Sequence, residues 1–471
     1  MTFNVKSQVR IPDVLKKVNA IFEQNGHKAY LVGGAVRDMV LGKESHDWDL
    51  ATDATPQQVM KMFRRVIPTG IAHGTVTIHI FGQELETTTF RTDVGYTDGR
   101  HPDKVVYAST IEEDLSRRDF TMNAIAIDLS TGKLSDPFNG IQDIQDKLIR
   151  TVGKPLARFD EDGLRPVRAI RFAGQLGFKI EKDTLKSISN PSVLKKTASV
   201  SRERFRDEFC KMLSAPVPSI SLRLLEQTGI MDIFIPEFKV CRNCLQSDTR
   251  GFHDFDVADH LFYACDGAPK DNLTVRLAAF YHDIGKPEAR TLEIKDGTEI
   301  IHFHGHETIS AKKARQSMIF LKFSNGQTDR VVHLVKEHMF HYESNWSDAA
   351  IRRFVIRAGL ENLDDLVALR LADIHGMHNI PLAPQSPVWK ELEELNARIR
   401  KVMEEKSAMS LKDLAVNGRD LMELGIPKGK VLGLILNELF ETVTDSPAMN
   451  DREKLSSLAR NIYDEKYLKI I

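Results

Sequence analysis

What this 471-residue chain has little of narrows its class before any motif is read. Its four cysteines, Cys210, Cys241, Cys244 and Cys265, are too few to staple a chain of this length in the way disulfides staple small secreted domains. Cys241 and Cys244 form a CxxC, but no second CxxC follows. The paired spacing of a zinc ribbon is therefore missing, and two ordinary thiols are expected. No apolar run approaches the ~20 residues that span a bilayer, and the opening MTFNVKSQVRIPDV lacks the apolar stretch of a signal peptide. A cytoplasmic protein without a membrane partner is the expectation. An excess of one charge is lacking too: 65 Lys and Arg stand against 66 Asp and Glu, a net charge of −1. The distribution is less even. Between Lys147 and Lys211, 16 basic residues face 8 acidic ones, a local excess of +8. Such a stretch can hold a phosphate backbone, although a solvated helical surface would read the same way.

At roughly 100–200 residues per domain, the length predicts two to four domains. The first 150 residues mix periods. PDVLKKVNAIFEQ repeats its apolar residues as a helix does and stops at Asn25-Gly26. AYLVGG is a short strand ending on two glycines, AVRDMVLG is a helix closed by Gly42, and HDWDLAT is a strand with alternating faces. Thr55-Pro56 opens a further helix. GTVTIHIFG and ELETTTFRT read as a hairpin about Gly82, and TDVGYTDGRHPD (92–103) as a turn-rich loop. After residue 150 helical periods take over, in EDGLRPVRAIRFAGQLGF, SRERFRDEFCKMLS and ISLRLLEQTG. Residues 241–259 are polar and irregular, helices return from about 256 to 378, and PLAPQSP (381–387) is a linker to a helical tail.

The chemistry-bearing residues begin at LVGGAVRDMVLGKESHDWDLATD (31–53). Gly33 and Gly34, between a strand and a helix, let backbone N–H groups approach a phosphate at a helix N-terminus. Arg37 lies one turn on, within reach of a triphosphate. Asp47 and Asp49 are two apart, on one face of the predicted strand. Two like charges on one face repel, yet they suit Mg²⁺ ions that bridge to phosphates. Glu86, on a later strand, is the candidate third carboxylate; packing at a sheet edge is the alternative. In EDGLRPVRAIRFA, Asp162, Arg165, Arg168 and Arg171 follow at steps of three, close to one helical face. Three arginines with one acid are better explained by an anionic ligand than by solvation.

The ordered set LVGGAVRD, DWDLAT, HGTVTI, TTFRTD, EEDLSRRDFTMNAIA, DPFNG and EDGLRPVRAIRFAGQLGF resembles the class II tRNA nucleotidyltransferase/poly(A) polymerase family, which includes the CCA-adding enzymes. The likeness covers residues 28–215 and returns at LKDLAVNGRDLM. It implies a polymerase-beta-like head and a reaction in which an RNA 3′-hydroxyl takes a nucleotide from CTP or ATP, with tRNA as partner. It implies that Asp162 and Arg165 read the Watson–Crick edge of the incoming base, that Arg168 and Arg171 bind phosphates, and that Arg118 touches the nucleotide with Asp119 and Asn123 in support. For Arg117 a salt-bridged helix start is the equal alternative. The loop with Arg91, Asp98 and Arg100 would help switch specificity from C to A.

A third group lies further on. VADHLFYA, RLAAFYHDIGKPEA and LADIHGMH supply His260, His282, Asp283 and Asp373, residue types suited to a divalent metal at a hydrolytic centre. The His-Asp pair followed by Ile-Gly-Lys-Pro resembles the HD phosphohydrolase superfamily, whose H…HD…D pattern is filled. His306 and His338 are candidates for a second metal or for phosphate. The metal could be Ni, Mn, Mg or Fe, and a silent scaffold is the alternative.

The expected fold class is multidomain α+β: a small-sheet transferase head (1–150), a helical neck that binds nucleotide and RNA (151–240), an all-α HD domain (241–380) and a helical tRNA-binding tail (388–471). The readings left open are CCA addition with Mg²⁺, a poly(A) or A-adding polymerase, and an HD phosphohydrolase with a degenerate RNA-binding head.

Overall fold

The computed structural model describes residues 11–45, 47–94, 104–246, 253–383, 385–404 and 408–468. The chain divides into two compact units, Met1–Val240 with Ser317–Ser324, and Cys241–Gln316 with Asn325–Ile471. The expected head and neck both lie in the first, and the expected HD and tail segments in the second, except that Ser317–Ser324 of the HD segment belong to the first.

In the first unit, α1 (Asp13–Gln24) buries Leu15, Val18 and Phe22, the one-sided spacing of an amphipathic helix. The strands are β1 (Ala29–Val32), β2 (Asp49–Thr52), β3 (Val66–Gly70), β4 (Thr75–Ile80), β5 (Gln83–Thr89), β6 (Arg91–Val94), β7 (Lys104–Tyr107), β8 (Ala126–Asp128) and β9 (Leu134–Ser135). Seven form one sheet in the order β3-β4-β5-β2-β1-β8-β9, while β6 and β7 pair separately. Between β1 and β2 runs α2 (Gly34–Val40), and after β2 comes α3 (Pro56–Met62). The start of α3 is fixed by a capping box in which Thr55 and Gln58 satisfy each other's backbone N–H groups, with Pro56 at the first position. Such a cap contributes about 1 kcal/mol. The β4–β5 turn, Phe81-Gly82, has φ of 50° and 76°, the left-handed pair of a two-residue hairpin.

Two expectations for the head are corrected. The strand at HDWDLAT begins only at Asp49, because β1 ends at Val32, the partner of Asp49, and the chain then turns at Gly33. Residues 92–94, expected to open the loop, are strand and pair with residues 104–106. Asp98 and Arg100 lie outside the described residues.

The head also carries α4 (Ile111–Ser116) and α5 (Gly140–Gln145), and the expected neck begins with α6 (Pro155–Glu161) and α7 (Arg165–Leu176). A short parallel pair, Leu148–Ile149 with Lys179–Ile180, and a bridge between Phe120 and Thr151 stitch neck to head. In the second unit the helices Val257–Gly267 and Leu363–His378 pack together beside Leu273–Tyr281. The tail has its own apolar cluster around Leu421, Ile435, Leu439 and Leu455. The HD segment is not all helix. Thr291–Lys295 and Thr298–His302 form an antiparallel hairpin whose Asp296-Gly297 turn has φ of 51° and 77°. An Asp-Gly pair between alternating residues is a hairpin signal that the helical reading passed over.

Candidate functional site

In the head, the carboxylates meet through strand register. β2 and β5 run parallel with Asp49 opposite Glu86. Asp49 is half-buried and Glu86 exposed, and Asp47 stands exposed just before the strand. Burial, then the charges of Glu86 and Asp47, push the Asp49 carboxyl up to about 6, with Arg118 acting in the opposite sense. This crowding is what a divalent cation relieves, and all the donors are the hard oxygens that Mg²⁺ prefers. Among the described residues these three carboxylates do not form a set with all ligand atoms within 4.8 Å of one another.

Gly33 has φ of 71° and ψ of −136°, and a Cβ there would lie 3.1 Å from Arg118 Nη1 and 3.6 Å from Asp49 Oδ2. The second glycine, Gly34, opens α2. Arg118 is held from the other side by Asp114 Oδ2 at 3.3 Å, and the fully buried Asp114 also pairs with Arg117. From here a chain of hydrogen bonds crosses the unit. Arg37 Nη1 donates to Asn123 Oδ1 (2.9 Å), Asn123 Nδ2 donates to Asp119 Oδ1 (3.2 Å), and Arg168 Nε donates to Asp119 Oδ2 (2.9 Å). Although burial alone would raise it, the Arg168 pair holds the Asp119 carboxyl down at about 2.

A cavity of about 300 Å³ gathers Asp49, Glu86, Arg118, Asp119, Asp162, Arg165 and Arg168. Asp162 is not on the helix with the arginines: it lies between α6 and α7 in extended conformation. Its Oδ1 accepts from Leu164 N (2.9 Å), and its Oδ2 accepts from Arg204 Nη2 (2.8 Å). Arg165 opens α7, paired with Glu161 and donating to the carbonyl of Arg117 (3.1 Å). Arg204 and Glu161, which orient this pair, were missed in the sequence, as were Thr75 and Thr88 on the cavity wall with their hydroxyls 3.0 Å apart. Glu161 stands four residues before Arg165 and Thr75 faces Thr88 across the β4–β5 hairpin, spacings that could have found them, whereas Arg204 reaches Asp162 only by packing. Two predicted phosphate ligands sit away from the cavity. Arg171 pairs with Glu208 and Gln175 and lies 3.8 Å over the Phe172 ring. Arg37 is buried against Asp38 and Asn123.

The second unit holds a buried polyhistidine centre. The ligand atoms of His260, His282, Asp283 and Asp373 lie within 4.8 Å of one another, and so do those of Asp283, His306 and His338. Asp283 Oδ2 faces His260 (3.1 Å) and His282 (3.3 Å), while its Oδ1 faces His306 (3.0 Å) and His338 (3.6 Å). Burial would depress His282, but Asp283 and Asp373 hold it up at about 10. Lys286 Nζ sits 2.6 Å from Asp283 Oδ2. His253, edge-on to His260, is pushed down to about 3 by burial and by Lys286. Of these groups, His253, Asp283, Lys286, His306, His338 and Asp373 line a cavity of about 520 Å³. Cys241 and Cys244 are buried free thiols.

Three family models match: Poly A polymerase head domain (residues 29–150), probable RNA and SrmB-binding site of polymerase A (177–241), and tRNA nucleotidyltransferase domain 2, putative (301–459). A CCA-adding enzyme of Ligilactobacillus salivarius is 32% identical over 97% of this chain and 98% of its own length. A CCA-adding enzyme of a Geobacillus species is 47% identical over 48% of this chain. That match and those to three Lactobacillus proteins span only 55–59% of the relatives' own length. The crystal structure of the Bacillus stearothermophilus CCA-adding enzyme in complex with CTP superposes with a TM-score of 0.72 and 29% identity, covering 96% of this chain and 98% of that one. Among the described residues, no helix is long and apolar enough to cross a membrane.

Proposed function

Because this chain belongs to the class II tRNA nucleotidyltransferase/poly(A) polymerase family, we propose that it adds C, C and A to the 3′ end of tRNA, drawing on CTP and ATP and releasing pyrophosphate. The observation that carries this reading is one cavity lined both by the Asp49–Glu86 edge and by the Asp162–Arg165 pair. A carboxylate accepts from the exocyclic amine that cytosine and adenine share, and a guanidinium donates to ring acceptors. One pair can therefore read both bases without a nucleic-acid template. Asp162 and Arg165 must first give up Arg204 and Glu161 in part, so base reading is an exchange of partners. Asp47, Asp49 and Glu86 would hold Mg²⁺, which when bound activates the attacking hydroxyl and neutralises the leaving pyrophosphate. Gly33 keeps side-chain bulk away from Arg118 and Asp49, and Arg118 and Arg168 offer positive charge to the phosphates. The RNA 3′-hydroxyl then bonds to the α-phosphorus as the bond to pyrophosphate breaks.

The test supplies tRNAs ending before the first, second or third terminal nucleotide, with CTP, ATP or both. A strict CCA product supports the reading. A run of adenosines independent of CTP replaces it with A addition. Asp47→Ala should abolish addition and leave any phosphatase activity in place; surviving addition would overturn the carboxylate assignment.

A second activity is favoured by the buried histidine-aspartate centre. We infer a metal-dependent phosphohydrolase in which His260, His282, Asp283 and Asp373 would hold one divalent ion and Asp283, His306 and His338 could hold a second. Four imidazoles among the donors favour Mn, Fe or Ni over Mg. Phosphatase assays with Ni²⁺, Mn²⁺ and Mg²⁺ test it independently of the head.

A further inference from the structure

We propose that Arg370 reads the phosphoryl group of the ligand in the histidine-aspartate cavity, and that this ligand is a phosphate monoester of mononucleotide size. The inference rests on the phosphohydrolase reading above. Arg370 and Asp373 lie one turn apart on the helix Leu363–His378 and so share a face. Asp373 divides its two oxygens: Oδ1 faces His260 and His282 at 3.3 and 3.4 Å, and Oδ2 accepts from Arg370 Nη1 at 2.7 Å. That single bond aims the guanidinium without using it up. Among the described residues four of its five N–H donors have no partner, and the planar fork belongs to a side chain that is 23% exposed and lines the cavity.

The other cation on this wall is differently placed. Lys286 is buried, and its ammonium is committed to Asp283 Oδ2 and Gln246 Oε1, each at 2.6 Å. Its charge balances Asp283 inside the cluster, whereas the Arg370 fork faces the space a ligand would fill. A fork beside a metal centre matches two phosphoryl oxygens at once. The remaining wall sets the size of the ligand. Ile301, Phe303, Met339 and Met377 supply an apolar side to a cavity of about 520 Å³. That volume falls in the ~300–1,000 Å³ range of small-molecule sites and far exceeds the need of a phosphate ion. A phosphate on Arg370 leaves its organic group against Phe303 and the methionines, where a planar base can lie.

The experiment uses the full chain loaded with Mn²⁺. Bound metal is measured by elemental analysis, and the affinities for inorganic phosphate and for AMP by calorimetry. Wild type is expected to bind both, AMP more tightly. Arg370→Gln should keep its metal and lose about 10- to 100-fold in phosphate affinity, the effect of removing charge-assisted bonds. Arg370→Lys, which keeps the charge and the reach to Asp373 but not the fork, should fall between the two, and it carries the test if the Gln variant does not fold. With p-nitrophenyl phosphate, KM should rise more than kcat falls. If Arg370→Gln loses metal while its loaded fraction binds phosphate normally, Arg370 only positions Asp373 and the proposal is overturned. Unchanged affinity in both variants, or AMP binding no tighter than phosphate, overturns it as well. A wild-type chain that binds no metal removes the phosphohydrolase reading itself, and this inference with it.

Discussion

Asp119 is the joint between the head and α7, and replacing it by asparagine isolates the value of one buried charge. Its side chain is 10% exposed, and Arg168 is bound to its Oδ2 through Nε and Nη2 at 2.9 and 2.8 Å. The carboxyl is held at about 2 rather than at its ordinary 3.8. At ~1.4 kcal/mol for each pH unit, this corresponds to about 2 kcal/mol of stability at neutral pH. The sign follows from the direction. A carboxyl pulled down stabilises the fold fully above its ordinary value and loses that contribution as the pH falls towards 2. Asp119→Asn should therefore cost about 2 kcal/mol at pH 7, and the gap to wild type should shrink by about half at pH 3. For a unit of this size 1 kcal/mol moves Tm by ~2–4 °C, so the expected drop is about 4–8 °C at pH 7. Scanning calorimetry of both proteins at the two pH values reads it. A Tm within ~2 °C of wild type at pH 7, or a gap that is the same at pH 3, would refute the reasoning.

Other expectations follow from the same geometry. Gly33→Ala forces a Cβ into the left-handed region and against Arg118 Nη1, so it should cost ~1–3 kcal/mol and at least 10-fold in nucleotide addition; near-normal activity would show that the turn tolerates bulk. Asp49→Asn should abolish addition yet raise Tm in chelator at pH 8. The raised carboxyl costs stability progressively from its ordinary 3.8 up to about 6, a penalty of up to about 3 kcal/mol above that, so the gain should fall to about half at pH 5 and vanish below about pH 4. His306→Ala should lower the bound metal by one ion per chain relative to wild type, read by elemental analysis, and an unchanged metal content would refute the shared role of Asp283.

Much of the site was legible because its parts are local. The strand-Gly-Gly-helix turn at Gly33, the hairpin about Gly82 and the His282-Asp283 pair are each fixed by a few neighbouring residues, so glycine's freedom, turn chemistry and side-chain type announce them. Where the sequence misled, long-range packing had the deciding role. Asp162 and the three arginines are evenly spaced in the chain, yet the interruption of helix between α6 and α7 takes Asp162 off the helix, and Glu208 draws Arg171 away from the cavity. Asp49 faces Glu86 only because β2 and β5 pair in parallel and in that register, which no spacing could state. Glu161 and Arg370 aim their partners from helical spacings of four and three, but Arg204, which holds Asp162, is 42 residues away and carries no pattern of its own. By itself the sequence determined which functional groups the protein has and the local turns that present them, because those depend on chemistry within a few residues. The tertiary structure alone decided which groups face one another, how far each pKa is displaced and which arginines remain open to a ligand, because charge and burial act through space between residues far apart in the chain.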